Sequence, residues 1–293
     1  MARIIGGIGT SHVPTIAMAY DRKKQQEPAW APMFEGYRPV ADWLAAKQPD
    51  VLVTFFNDHA SSFFFDLYPT FAIGIGEAFE VADEGAGKRP LPAIRGNLDL
   101  SIHIAEQLVN DEFDMATFFD RPLDHGVFSP LPLMLSHDPE WPCALVPLMI
   151  NVVQHPLPTA RRCYKLGQAV KRAIESFPQD LKVVIVGTGG LSHQVHGERA
   201  GFNSEEWDRE FMDLFVRDPE KLLAMKHADL VRLGGAEGAE IIMWLAMRGA
   251  LPGPIRALHE SYYLATSTAM GVGLYEQVPA TAGRTAPRQT AEA

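Results

Sequence analysis

The sequence predicts an α/β fold: a single three-layer domain whose mixed, mostly parallel sheet carries helices on both faces. Two observations lead there. DVLVTFF at 50–56 and LKVVIV at 181–186 are strand-length runs with hardly a polar interruption, as strands covered on both faces require. Around them lie segments whose apolar residues recur at helical spacing, so strand and helix alternate along the chain.

The elements follow in order. Residues 3–8 (RIIGGI) open as a short strand. A helix is expected over 32–47 from the spacing of Met33, Tyr37, Val40, Trp43 and Leu44, with Pro39 kinking or restarting it. The run 50–56 is the next strand, 98–110 an amphipathic helix, FDMATFF at 113–119 strand-like, and 144–153 a second buried strand. A long helix over 159–177 takes Thr159 as N-cap and stops at Pro178. After the strand at 181–186, a helix over 203–216 opens on a capping box of Asn203 and Glu206, and 236–247 reads as a buried helix.

Composition narrows the function. With 293 residues, 47% apolar and 21% charged, the chain has material for a large core and is not disordered. Lys plus Arg number 26 and Asp plus Glu 36, a net charge of −10 that repels phosphate backbones, so no nucleic-acid partner is expected. No apolar run approaches the roughly 18 residues of a membrane span. Met1-Ala2-Arg3 leads into a strand rather than a signal peptide, and Cys143 and Cys163 are too few for a disulfide framework. A cytoplasmic location is therefore expected. Residues 1–276 read as one catalytic domain, and 277–293 (QVPATAGRTAPRQTAEA), short of apolar residues, as a loose tail. Glycine-rich nucleotide motifs and the G-x-S-x-G elbow are missing from the sequence.

Histidines supply the positive signal. Three strand candidates end alike: the first runs into Thr10-Ser11-His12, the second into Asn57-Asp58-His59, the last into Thr188-Gly189-Gly190-Leu191-Ser192-His193. Ligands of open α/β sheets bind beyond the carboxyl ends of the strands, so parallel strands would deliver these imidazoles to one edge. His125, in Asp124-His125-Gly126, follows a fourth strand-like run. Any one of them alone could simply bond a neighbouring backbone group. The other six (His103, His137, His155, His196, His227, His259) read as solvated or locally bonded, with His196 left open by its closeness to His193.

Glu240 is harder to explain as scaffold. It lies in GAEGAEIIMWLAM, where the surrounding residues bury it. A buried carboxylate needs a partner, which could be Arg248, solvent at the helix start, or a metal ion whose shell two strand-end histidines complete. Two His and one carboxylate suit non-haem Fe(II), which must hold substrate and dioxygen together, and equally a catalytic zinc, leaving a metallohydrolase open.

These motifs carry a resemblance. GTSHVP around His12, FNDHASSF around His59, DHG around His125, GTGGLSHQVHG around His193 and EGAEIIMWLAMRGALP around Glu240 occur in order and at compatible spacing. NDEFDM at 110–115 and ESFPQDL at 175–181 extend the match, which runs from Ala2 to about Tyr275. Together they resemble the class III extradiol ring-cleaving dioxygenases, and among these the catalytic β subunits that open protocatechuate at the 4,5 position.

The resemblance implies Fe(II) held by His12, His59 and Glu240, and His193 as the acid–base group taking a proton from a catechol hydroxyl. It implies His125 as a second active-site histidine touching substrate, and Ser267 as a substrate contact, here followed by Thr268. The implied reaction uses O2 to turn protocatechuate into a carboxylated 2-hydroxymuconate semialdehyde, with gallate or methylgallate as the alternative substrate. It also implies a small helical α subunit as partner, in an α2β2 assembly.

Overall fold

The computed structural model describes residues 1–278. In chain order the strands are β1 (Arg3–Thr10), β2 (Val51–Phe56), β3 (Phe71–Gly74), β4 (Ala78–Phe79), β5 (Ile94–Arg95), β6 (Ala116–Phe118), β7 (Ala144–Ile150), β8 (Lys182–Thr188), β9 (Ile255–Tyr263) and β10 (Met270–Gln277). The helices are α1 (Pro14–Asp21), α2 (Ala31–Lys47), α3 (Leu98–Asn110), α4 (His125–Phe128), α5 (Leu131–Met134), α6 (Ala160–Ser176), α7 (Glu205–Arg217), α8 (Pro219–Ala224), α9 (His227–Gly234) and α10 (Ile242–Ala250).

Eight strands form one mixed sheet in the order β6-β3-β7-β2-β8-β1-β10-β9, while β4 and β5 pair separately. Its centre, β7-β2-β8-β1, is parallel throughout; β3 and β10 run antiparallel to their inner neighbours. The expected mixed sheet is therefore present, and the three histidine-bearing strands stand side by side with β8 in the middle.

Both faces are covered, which is why β2 carries no polar face. Val51, Val53 and Phe55 enter a core shared with α3, α6, α7 and α10, whereas Leu52 and Phe56 enter one shared with α1, α2, α4 and α5. Each such side chain contributes roughly 1.5–3 kcal/mol when fully buried. Helices α6 and α10 cross closely because residue 167 is glycine: a Cβ there would stand 1.8 Å from the Ala246 carbonyl oxygen.

Several local expectations are revised. Helix α2 passes through Pro39 unbroken. Thr159 caps α6 as expected, accepting a hydrogen bond from the Arg162 N–H. Helix α7, however, is capped by Ser204 and not Asn203, because the Ser204 side chain is the one that reaches the Trp207 N–H. The helix expected over 236–247 begins as a 3-10 turn, Glu237–Ile241, and becomes α-helical only from Ile242. The antiparallel pair β9–β10 was not anticipated. Gln277, assigned to the tail, closes β10, and the remaining tail residues 279–293 lie outside the described residues.

Candidate metal centre

Strands β1, β2 and β8 are aligned so that Thr10 faces Thr188 and Phe55 faces Gly187, which sets the loops after them at one edge. His12 and His59 meet there with ring centroids 5.0 Å apart and planes nearly perpendicular. His125, first residue of α4, stacks on His59 at 3.8 Å, and ring nitrogens of all three lie within 4.8 Å of one another. Glu240 enters from the opposite core. Its Oε2 stands 3.1 Å from His12 Nε2 and its Oε1 3.5 Å from His59 Nε2.

The carboxylate gets that close because two glycines, Gly189 and Gly190, follow β8. Gly189 has φ of +123°, and a Cβ on it would fall 2.9 Å from the Glu240 Cβ. The Gly190 N–H then donates to Glu240 Oε2 at 3.0 Å. Arg248 is not the partner of this carboxylate: its guanidinium donates to the carbonyls of Phe215, Leu251 and Gly253. Exposure at the helix start is not the explanation either, since Glu240 is 5% exposed.

Hydrogen bonds on the far side of each ring anchor it through Nδ1. The Thr188 hydroxyl donates its single proton to the Gly126 carbonyl at 2.7 Å, so toward His12 it can only accept, from Nδ1–H at 3.0 Å. His59 Nδ1–H donates to Asp124 Oδ2 at 2.9 Å. His12 Nε2 therefore turns a bare lone pair toward an anionic carboxylate, and His59, anchored through Nδ1, turns its Nε2 toward the same group. The Asn57 amide nitrogen lies 2.9 Å from His59 Nε2, but His12 Nε2 is buried with no hydrogen-bond partner, 3.1 Å from Glu240 notwithstanding. The Asn57 amide oxygen is buried and unpartnered as well.

Charge points the same way. Asp124 and Glu240 are both buried, and burial, the largest single influence, works against their ionisation. The facing histidines outweigh it and hold both carboxyls below the usual carboxylate range. His12 is pushed down by burial, which keeps it neutral. Burial also presses His59 down, but Asp124 and Glu240 together raise it well above the ordinary value. Without a metal, two carboxylates, a neutral His12 and a protonated His59 sum to −1; a divalent cation that takes the place of the His59 proton balances the charge of the site. The donor set fits such an ion: two imidazole nitrogens and a carboxylate, each oriented by a second group behind it.

The turn after His59 is tied down by Asp58, whose carboxylate accepts from the N–H groups of Ser61, Ser62 and Phe63. Burial and nearby Asp124 push that carboxyl up to about 6.

The other candidates divide. His193 is buried at the end of the β8 loop, its Nδ1–H donated to the Leu191 carbonyl at 2.8 Å, which leaves Nε2 free. His125 Nδ1 lies 2.5 Å from Glu84 Oε1, and its backbone N–H donates to the other oxygen of the same carboxylate. Ser267 is exposed on the β9–β10 turn, and among the described residues no hydrogen bond ties it to the histidines; Ala269, two residues on, pairs with Leu191 and Ser192. His196 is exposed and stands outside the cluster. Thr188, Asn57, Asp124 and Glu84 were not singled out from the sequence. The first three lay inside the quoted motifs, whereas Glu84 is 41 residues from His125 and carries no signal of its own. A 920 Å³ cleft between α2 and the α5 region opens near Asp50 and Lys182, at the opposite edge of the sheet, and none of these site residues lines it.

Comparison with known proteins gives a consistent picture. A family model described as the catalytic LigB subunit of aromatic ring-opening dioxygenase matches residues 6–275. Gallate dioxygenase of Pseudomonas putida is 56% identical over 196 residues, 67% of this chain and 58% of that enzyme, so the match spans less than two thirds of the relative. The 2,3-dihydroxyphenylpropionate/2,3-dihydroxicinnamic acid 1,2-dioxygenase of Photorhabdus laumondii is 27% identical over 320 residues, 94% of this chain and 97% of that enzyme. An uncharacterized protein of Escherichia coli K12 shares the fold, with a TM-score of 0.52 at 16% identity over 92% of this chain and 99% of that one. No described helix is long and apolar enough to cross a membrane.

Proposed function

Because the chain belongs to the LigB family of catalytic subunits of aromatic ring-opening dioxygenases, we propose that it opens the ring of gallate or a close relative with O2, using Fe(II) held by His12, His59 and Glu240. The observation that carries this reading is the convergence on a buried carboxylate of two Nε2 atoms whose rings are each anchored through Nδ1. Gallate takes precedence over the protocatechuate expected from the motifs, since the gallate dioxygenase of Pseudomonas putida shares 56% of 196 aligned residues.

Fe(II) in this ligand set supplies open positions at which a catechol and dioxygen become neighbours. The chain supplies the rest. His193, anchored through Nδ1, offers Nε2 as the base that takes the second hydroxyl proton and later returns it. His125, held by Glu84 and stacked on His59, is read as the second histidine that touches substrate. Ser267 is read as a further substrate contact from the β9–β10 turn.

We also propose a small helical partner chain, in an α2β2 assembly, that lids the site. Support comes from Phe64, Phe65 and Leu67, all exposed on the segment that follows His59, and from exposed Phe119. Reduced, buried Cys143 and Cys163 accord with a cytosolic enzyme.

The test is anaerobic loading with Fe(II), then oxygen uptake with gallate, protocatechuate and methylgallate. Fe(II)-dependent uptake, fastest with gallate and lost in the Zn(II)-loaded protein, is the expected result. Undiminished uptake in His12→Ala or Glu240→Ala overturns the centre, and protocatechuate as the fastest substrate overturns the gallate preference.

A further inference from the structure

We propose that Asp208, on α7 and outside the metal centre, is the positioning residue for His193. The inference rests on the reading of His193 as the base and deepens it. Asp208 is 1% exposed, and among the described residues no lysine or arginine pairs with it. Its carboxylate instead collects three donors: the Ser192 N–H at 2.8 Å on Oδ1, and on Oδ2 the Ser192 hydroxyl at 2.6 Å and the Tyr262 hydroxyl at 3.2 Å. Ser192 is the residue immediately before His193.

This arrangement does more than end a helix. The cap of α7 is already provided by Ser204, whose hydroxyl accepts from Trp207, and the Asp208 N–H is taken by the Ser204 carbonyl. The Asp208 side chain is free of capping duty and points across to the β8 loop. There it saturates Ser192: the hydroxyl donates to Asp208 and accepts from the Ser204 N–H at 2.7 Å. Residue 193 is pinned from its other sides by its N–H on the Gly234 carbonyl, its own carbonyl accepting from Gly238, and Nδ1 on the Leu191 carbonyl. With Ser192 clamped, Nε2 is the one polar atom of His193 left uncommitted.

An ionised carboxylate accepts from all three neighbours at once, as the geometry at the junction has it. An amide would turn an N–H₂ group toward at least one of them and loosen the loop that follows the Gly189-Gly190 pair. A loop displaced by a fraction of an ångström misplaces the base while leaving His12, His59 and Glu240 on their own supports.

The experiment is a double-mutant cycle on the Fe(II)-loaded full chain: wild type, Asp208→Asn, His193→Ala and the double variant, read by oxygen uptake with gallate and by anaerobic Fe(II) affinity. Asp208→Asn is expected to lower kcat by about tenfold or more while KM and Fe(II) affinity stay within about twofold, and to cause no further loss when His193 is already alanine. Ser192→Ala and Tyr262→Phe, which each remove fewer bonds, should move kcat the same way by less, and they carry the cycle if Asp208→Asn does not fold. An equal loss with and without His193, or unchanged kcat in folded variants, overturns the inference alone. Wild-type turnover in His193→Ala overturns the base assignment, and the inference with it.

Discussion

His12 Nε2 and Glu240 Oε2 stand 3.1 Å apart in a buried site without a hydrogen bond between them. Thr188 holds the His12 proton on the far nitrogen, so a lone pair faces a carboxylate, an arrangement that a cation turns from a cost into a binding site. Chelation of the bound metal should therefore lower the melting temperature. At a free metal concentration of about 100 times Kd the stabilisation is about 2.7 kcal/mol, several degrees for a domain of this size. Glu240→Gln should abolish that metal-dependent gain, because a neutral amide is a poor ligand in place of the carboxylate. Anaerobic melts with Fe(II) and with chelator check both; a preserved metal shift in Glu240→Gln would refute the ligand role.

Asp124 serves His59 as Thr188 serves His12, but by charge. Its Oδ2 accepts from both the ring Nδ1 and the backbone N–H of His59, and Oδ1 caps α4 through the Gly126 N–H. Asp124→Asn leaves one amide oxygen where two carboxylate oxygens served Gly126 and His59, so metal-free stability should fall, and the loss of a charged acceptor behind His59 should also weaken metal binding about 10–100-fold. Calorimetric titration with Zn(II), a redox-inert probe, reads this directly. Equal affinity in the variant would show that Asp124 does not act through the ring.

Much of this edge was legible beforehand, and for a physical reason. Strands β1, β2 and β8 are buried on both faces, so their apolar runs are continuous, and the histidines after them share one topological position. Strands β9 and β10 escaped because β9, at the sheet's edge, mixes Arg256, His259, Glu260 and Ser261 with its apolar residues and has no strand-like run. The 3-10 turn bearing Glu240 escaped because winding depends on tertiary contact: a Cβ on Gly238 would come 3.3 Å from the Ser192 Cα, and no local pattern encodes that. Supports such as Thr188 and Glu84 are single polar residues paired across the chain, and periodicity says nothing about them. Ser204 displaced Asn203 as cap because adjacent residues of equal propensity are separated only by which side chain reaches the helix.

Close packing behind the centre makes a separate prediction. Gly167 on α6 lies against the α10 backbone, where an added Cβ would meet the Ala246 carbonyl oxygen at 1.8 Å and the Ala250 nitrogen at 2.9 Å. Backbone atoms cannot swing aside as a side-chain end can, so Gly167→Ala should force the helices apart and cost about 3 kcal/mol or more, despite alanine's better helix propensity. A chemical denaturation midpoint unchanged from wild type would show that the crossing tolerates a methyl group.

Asp208 should give the molecule a distinctive acid-range stability profile. Burial pushes its carboxyl up to about 6, against the hydrogen bonds from Ser192 and Tyr262 that favour the ionised form. In the unfolded chain the same group titrates near 3.9. Between these values the native state holds a proton that the unfolded state has released, so native stability falls as pH rises through the window. The contribution is fully present below about pH 4 and is lost by about pH 6, a change approaching 3 kcal/mol at most. Asp208→Asn has nothing to titrate, so the wild-type advantage over this variant should shrink between pH 4 and pH 6 and level off above. Paired denaturation curves across that range, in the presence of chelator to silence the metal ligands, isolate the effect; a difference that stays flat or grows with pH would mean that the carboxylate is better solvated by its three donors than its burial implies.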